Sequence, residues 1–148
     1  MKKFSFRLQR LLDIRQKLED EQKIVLAKAS GDYQLEVNKK NRILETVSHF
    51  RDSIKGKPPD INELRAFDKL LTDSDAAIRV IEIEMEKKRK IMEKELAKYT
   101  KLKQDKRAVE ILKEKALNEH REAQKREENM EIDEIGKNVF IRKNLPDN

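Results

Sequence analysis

The stretch Gly56-Lys57-Pro58-Pro59-Asp60-Ile61-Asn62-Glu63 is the one cluster of chain breakers inside this sequence. Two adjacent prolines forbid continuous helix, because each lacks an N–H and each restricts the residue before it. The four residues that follow have the spacing of a capping box, with Asp60 in place of Ser or Thr. Its carboxylate can accept from the open N–H groups at the start of a new helix.

Working outward, little else interrupts the chain. Its 148 residues hold only three Gly and three Pro, too few turn residues for a sheet with many connections. Gly31 stands alone in a helical pattern and weakens a helix by about 1 kcal/mol without ending it. Ala, Glu, Lys, Leu and Arg supply 77 positions, the composition of long helices and coiled coils. Leu, Ile, Val and Phe supply 39, enough for a seam but thin for a rounded globule. The sequence therefore predicts an all-α, elongated two-helix antiparallel coiled-coil hairpin with a longer second helix. It forms a single domain over 1–148: helix 4–55, turn 56–60, helix 61–135, and a frayed tail 136–148.

Periodicity sets the register. Alternating steps of four and three pass through Phe4, Leu8, Leu11, Arg15, Leu18, Gln22, Val25 and Ala29. One further step of four leads to Tyr33 and Val37, then on to Lys40, Leu44, Val47, Arg51 and Ile54. That extra step is a stutter, which locally relaxes a left-handed supercoil. The second helix gives Leu64, Phe67, Leu71, Ser74, Ile78, Ile81, Met85, Lys88 and Met92. Two such stripes joined by a short turn pack knobs into holes, with position n facing roughly 118 − n. Phe4 then falls near 114, and residues 115–135 overhang by about 30 Å at ~1.5 Å per residue. There Leu102, Val109, Ala116, Ala123 and Met130 recur every seven residues. The companion row of Tyr99, Lys106, Lys113, His120 and Glu127 is mostly polar. Such a half-stripe is either a solvated extension or a docking surface.

Chemistry has no constellation to work with. There is no cysteine, and neither His49 nor His120 sits in a metal-ligand spacing; Glu45 and His49 read as a surface pair. No phosphate-cradling loop surrounds Gly56-Lys57, and carboxylates on solvated helix faces keep ordinary acidity. No catalytic residue, cofactor or metal is expected. No stretch approaches 18 consecutive apolar residues. The basic start regains charge at Arg7, Arg10 and Asp13, so no signal-peptide core follows. A cytoplasmic protein is expected, membrane-associated only through partners.

Net charge is +6 and unevenly placed. Residues 1–28 hold eight basic against four acidic side chains, and 101–126 hold nine against five; 127–136 hold five acids and no base. These faces either keep the coiled coil soluble or steer it to an acidic partner. Bases alternate with acids and lack stacking aromatics, which disfavours nucleic acid as the partner. Ile43, Phe50, Leu70 and Ala77 fall outside the chosen seam at one height near the turn. They either widen the core or form an exposed apolar patch of the kind that marks an interface. The stretch from Phe4 to Leu12 is a basic amphipathic segment that suits a membrane surface or a protein partner. The acids that follow at Asp13, Glu19, Asp20 and Glu21 favour the protein.

Two terminal motifs carry a resemblance. The opening Phe4-x-Phe6-x-Leu8-Gln9-x-Leu11-Leu12-x-Ile14-Arg15-x-x-x-Glu19 resembles the start of the FliJ family of bacterial flagellar export proteins. Arg107-x-x-Glu110-x-Leu112-x-Glu114-Lys115, with Glu131-Ile132-Asp133-Glu134-Ile135-Gly136-x-x-x-Phe140-x-Arg142, resembles its end. The resemblance implies a non-enzymatic, stalk-like part of the flagellar type III export apparatus, peripheral at the inner face of the cell membrane at the flagellar base. Implied partners are the export ATPase ring, the membrane export gate and export chaperones. It places Phe4, Phe6, Leu8, Leu11, Leu12, Arg15, Asp133, Glu134, Phe140 and Arg142 at the ATPase-facing end. Gate contacts would lie toward the turn, at Ile43, Phe50, Leu70 and Ala77. A generic coiled-coil scaffold or chaperone, or a basic nucleic-acid-binding hairpin, is the alternative.

Overall fold

The structure, a computed structural model, describes residues 2–146. Two helices account for nearly all of it. Helix α1 spans Gln9–Ile54 and helix α2 spans Ile61–Asn144, 46 and 84 residues, and the described residues contain no strand. The chain is all-α, with the second helix the longer. At the connection Gly56 takes φ of 92°, the left-handed conformation that ends a helix and that a side chain disfavours. Beyond the two prolines, the Asp60 carbonyl accepts from the Leu64 N–H at 3.1 Å, so α2 starts directly after Asp60.

The chain divides into two compact units. One consists of residues 18–102, and there the helices run antiparallel. Gln22 pairs with Glu95, one residue from the expected level, and Tyr99 with Glu19, at that level. Phe50 stacks on Phe67 with ring centroids 5.5 Å apart and planes 7° from parallel. Lys40 reaches Glu82 at 3.1 Å, one turn off its level, within the span of a long side chain. The seam on α2 runs through Phe67, Leu71, Ser74, Ile78, Ile81, Met85, Lys88 and Met92, all buried or half-buried. It continues as Glu95, Tyr99 and Leu102. Ala29 and Val47 are the buried apolar residues on α1 in this unit.

On α1 the seam differs from the periodicity reading. The protected positions are Glu19, Gln22, Leu26, Ala29, Tyr33, Glu36, Lys40, Ile43, Val47, Phe50 and Ile54. They alternate threes and fours without interruption, so there is no stutter. Leu18, Val25 and Leu44, which stepping by hydrophobicity selects, are more than 40% exposed. Polar pairing across the helices is what lets Glu19 take the place of Leu18. Gln22 donates to both the carbonyl and the carboxylate of Glu95, and the Tyr99 hydroxyl meets Glu19. Each bond satisfies a group that the seam protects from water, so these positions need not be apolar.

The other unit joins the residues up to Lys17 with those from Lys103 onward. Here too the pairing is antiparallel: Arg15 donates to the Asp105 carbonyl at 2.6 Å, and Lys106 donates to Gln16 at 3.0 Å. Val109, only 3% exposed, is the best-buried apolar side chain. Two boundaries shift from expectation. Helix α1 begins at Gln9 rather than 4, because the chain before it is irregular and ends in a turn in which Gln9 N–H bonds the Phe6 carbonyl. Helix α2 continues to Asn144 rather than fraying from 136, because one glycine costs about 1 kcal/mol and its neighbouring turns stay bonded. Asp147 and Asn148 of the expected tail lie outside the described residues.

Candidate binding site

The terminal unit carries all ten residues the FliJ resemblance assigns to ATPase binding, and the structure splits them. Phe4, Phe6, Leu8, Leu11, Leu12 and Arg15 are all half-buried. Phe4 meets the His120 ring at 5.5 Å, with planes tilted by 50°. The helical register would put Phe4 near 114. The chain before Gln9 is not helical and does not keep the ~1.5 Å rise, so Phe4 stands about one and a half turns further along α2. These six half-buried side chains are strung along α2, from Phe4 at His120 to Arg15 at Asp105, and keep accessible edges.

Asp133, Glu134, Phe140 and Arg142 lie elsewhere in the same unit, on the stretch of α2 where every described residue from 125 onward is exposed. Asp133 stands 13 residues past His120, about 20 Å at ~1.5 Å per residue, so it lies apart from Phe4. Nor do the four share a face. At about 100° per residue Asp133 and Phe140 align, while Glu134 and Arg142 point to other sides.

The exposed end of α2 is chemically patterned. The stepping that carries Val109, Lys113, Ala116 and His120 continues as Gln124, Glu127, Glu131 and Glu134, so the seam turns acidic as its partner segment ends. Lys2, His120, Ala123, Gln124 and Glu127 line a shallow depression at that transition. About 100° round the helix, Ile132, Ile135 and Val139 form an apolar stripe, 64%, 62% and 46% exposed. The sequence signal for it was the i, i+3, i+7 spacing. Tracing the seam at seven-residue intervals to Met130 passed it by.

Near the turn, in the other unit, Ile43, Phe50, Leu70 and Ala77 are half-buried. Phe50 is held by its stack on Phe67. Exposed apolar side chains in that unit are instead Ile24, Leu35, Ile61, Val80, Ile83 and Ile91, each more than half exposed.

Electrostatics are those of solvated helices. Gln22, donating to the Glu95 carboxylate, holds that acid below the usual range, with Lys98 adding to the effect. The Glu86 carboxyl is lowered mainly by its hydrogen bond from Arg89. Among the described residues no group of three His, Cys, Asp or Glu side chains is placed to hold a metal ion. No helix there is long and apolar enough to cross a membrane.

Antiparallel helices with a polar-laced seam and no strand among the described residues define a coiled-coil protein. The family model of the flagellar FliJ protein matches residues 4–145, nearly the whole sequence. The chain belongs to the FliJ family and is a coiled-coil component of the flagellar export apparatus. No curated protein and no solved structure matches it.

Proposed function

We propose that this chain is the non-enzymatic stalk of the export apparatus, gripped by the export ATPase ring at its terminal unit, touching the membrane export gate near the turn, and assisting export chaperones. The observation that supports the reading is the half-buried Phe4–Leu12 segment, matched to the family from residue 4 onward. Its aromatic and leucine side chains are anchored yet keep exposed edges, and they are followed by Arg15 tied to the Asp105 carbonyl. Rigid aromatic anchors within a basic surround suit an acidic cavity: charge speeds the encounter and a few apolar side chains fix it. Asp133, Glu134, Phe140 and Arg142 contribute from the exposed end of α2.

The gate contact uses the accessible edges of Ile43, Phe50, Leu70 and Ala77. Work at the inner face of the cell membrane is then reached through these partners.

The test is a binding titration against the purified ATPase ring. The double variant Phe4→Ala with Leu8→Ala weakens binding at least tenfold while the helical signal stays nearly constant, since both residues precede α1. Reversing Arg7 and Arg10, both exposed, flattens the salt dependence. Unchanged binding by the first variant would remove the ATPase assignment. An unchanged salt slope with the second would remove steering.

A further inference from the structure

We propose that the exposed end of α2, residues 125–144, is a self-pairing segment that docks antiparallel against the same segment of a second copy of this chain. Three observations converge on that occupant.

The first is the apolar stripe. Ile132, Ile135 and Val139 follow the spacing of a coiled-coil seam and are exposed by roughly half or more. They do not continue the seam used against α1, which turns acidic at Glu127, Glu131 and Glu134. The stripe is therefore a separate face rather than a leftover of the intramolecular one.

The second is charge order. Glu127, Glu128, Glu131, Asp133 and Glu134 precede the stripe's centre, and no base accompanies them between 127 and 136. Lys137, Arg142 and Lys143 follow it, with no acid from 137 to 144. A parallel pair would lay acid beside acid and base beside base. An antiparallel pair lays each acidic block beside the other copy's basic block, about a two-fold axis near residues 135–136. A partner with its own two-fold symmetry is thereby specified, since an isologous contact requires a self-complementary surface.

The third is Gly136. It stands within an 84-residue helix, and nothing lies within 4 Å of where a side chain would project. Its own chain makes no use of the missing side chain. At the edge of the stripe and beside the axis, the bare backbone lets a second helix approach closely.

Three apolar side chains per copy make a small contact, below the ~1,200 Å² of a standard interface, so the pair forms weakly and follows concentration. Sedimentation velocity of the full chain from low micromolar to submillimolar concentration reads it. The expected result is a mass rising from one copy toward two. Ile132→Asp with Val139→Asp holds the chain monomeric throughout. So does Glu128→Lys with Glu131→Lys and Glu134→Lys. Adding Lys137→Glu, Arg142→Glu and Lys143→Glu to that triple restores pairing. A nitroxide at Asn138, close to the axis, then reports a short distance between copies and one at Lys125 a longer one. A chain monomeric at every concentration, a dimer that survives either disrupting variant, a swapped chain that fails to pair, or equally short distances at both labels would each overturn the proposal.

Discussion

Val109 and Val80 carry the same side chain on the same helix at opposite extremes of burial, 3% and 63% exposed. Replacing each with alanine separates packing from local propensity. Removing two carbons from a filled site forfeits about 0.8 kcal/mol per carbon, about 1.6 kcal/mol together, before any cavity cost. Alanine returns up to ~0.7 kcal/mol of helix propensity at either position. Val109→Ala should therefore destabilise by about 1–2 kcal/mol, while Val80→Ala should be neutral or stabilising by a few tenths. Urea unfolding followed by helical circular dichroism measures both, provided the slope with denaturant is unchanged so that the midpoint reports stability. The informative quantity is the gap between the two variants, expected at 1.5–2.5 kcal/mol, roughly the transfer and cavity terms with propensity cancelled. Equal costs would mean that Val109 is not sealed against the start of α1, and the terminal unit as described would be wrong.

Further outcomes follow from the other unit. A double-mutant cycle on Phe50→Ala and Phe67→Ala should return a coupling of about 0.5–1.5 kcal/mol for the stacked pair. Strictly additive single losses would deny the contact. The Glu95 carboxyl is held low by Gln22, so its ionised form stabilises the folded chain. That contribution is present above the unfolded carboxyl pKa near ~4.3 and is lost as pH falls through the lower folded value. Gln22→Ala should make stability less sensitive to acid below about pH 5 than in the parent. A parent and variant with parallel profiles there would refute the assignment.

How much of this was readable in the residues depends on which helix is asked. Pro58-Pro59 and Asp60 located the turn to within a residue or two because the prolines' covalent chemistry permits nothing else. The α2 seam followed its apolar period faithfully from Phe67 to Met92. The α1 seam did so only in part: the stepping met the protected positions Gln22, Ala29, Tyr33, Lys40, Val47 and Ile54 but chose the exposed neighbours Leu18, Val25, Leu44 and Arg51 over Glu19, Leu26, Ile43 and Phe50. Glu19 is polar, and hydrophobic stepping had no access to its partner Tyr99 across the helices. The Phe4–Leu12 segment was legible in composition but not in level, since the chain before Gln9 is not helical and does not keep the helical rise per residue. The family motifs pointed to the terminal residues as a group. Only the structure shows Asp133 and Phe140 some 20 Å or more from Phe4, at ~1.5 Å per helical residue.

The central claim is that the chain folds back once beyond Ile54, so that residues far apart in sequence stand level across the two helices of residues 18–102. Nitroxide labels at Asp20 and Lys98, both exposed and on the expected level, test it directly by pulsed dipolar spectroscopy. Helices in contact lie ~8–10 Å apart, so with label arms the distance should fall at about 15–30 Å. A distribution centred at ~120 Å, the span of 78 residues in unbroken helix at ~1.5 Å each, would contradict the account.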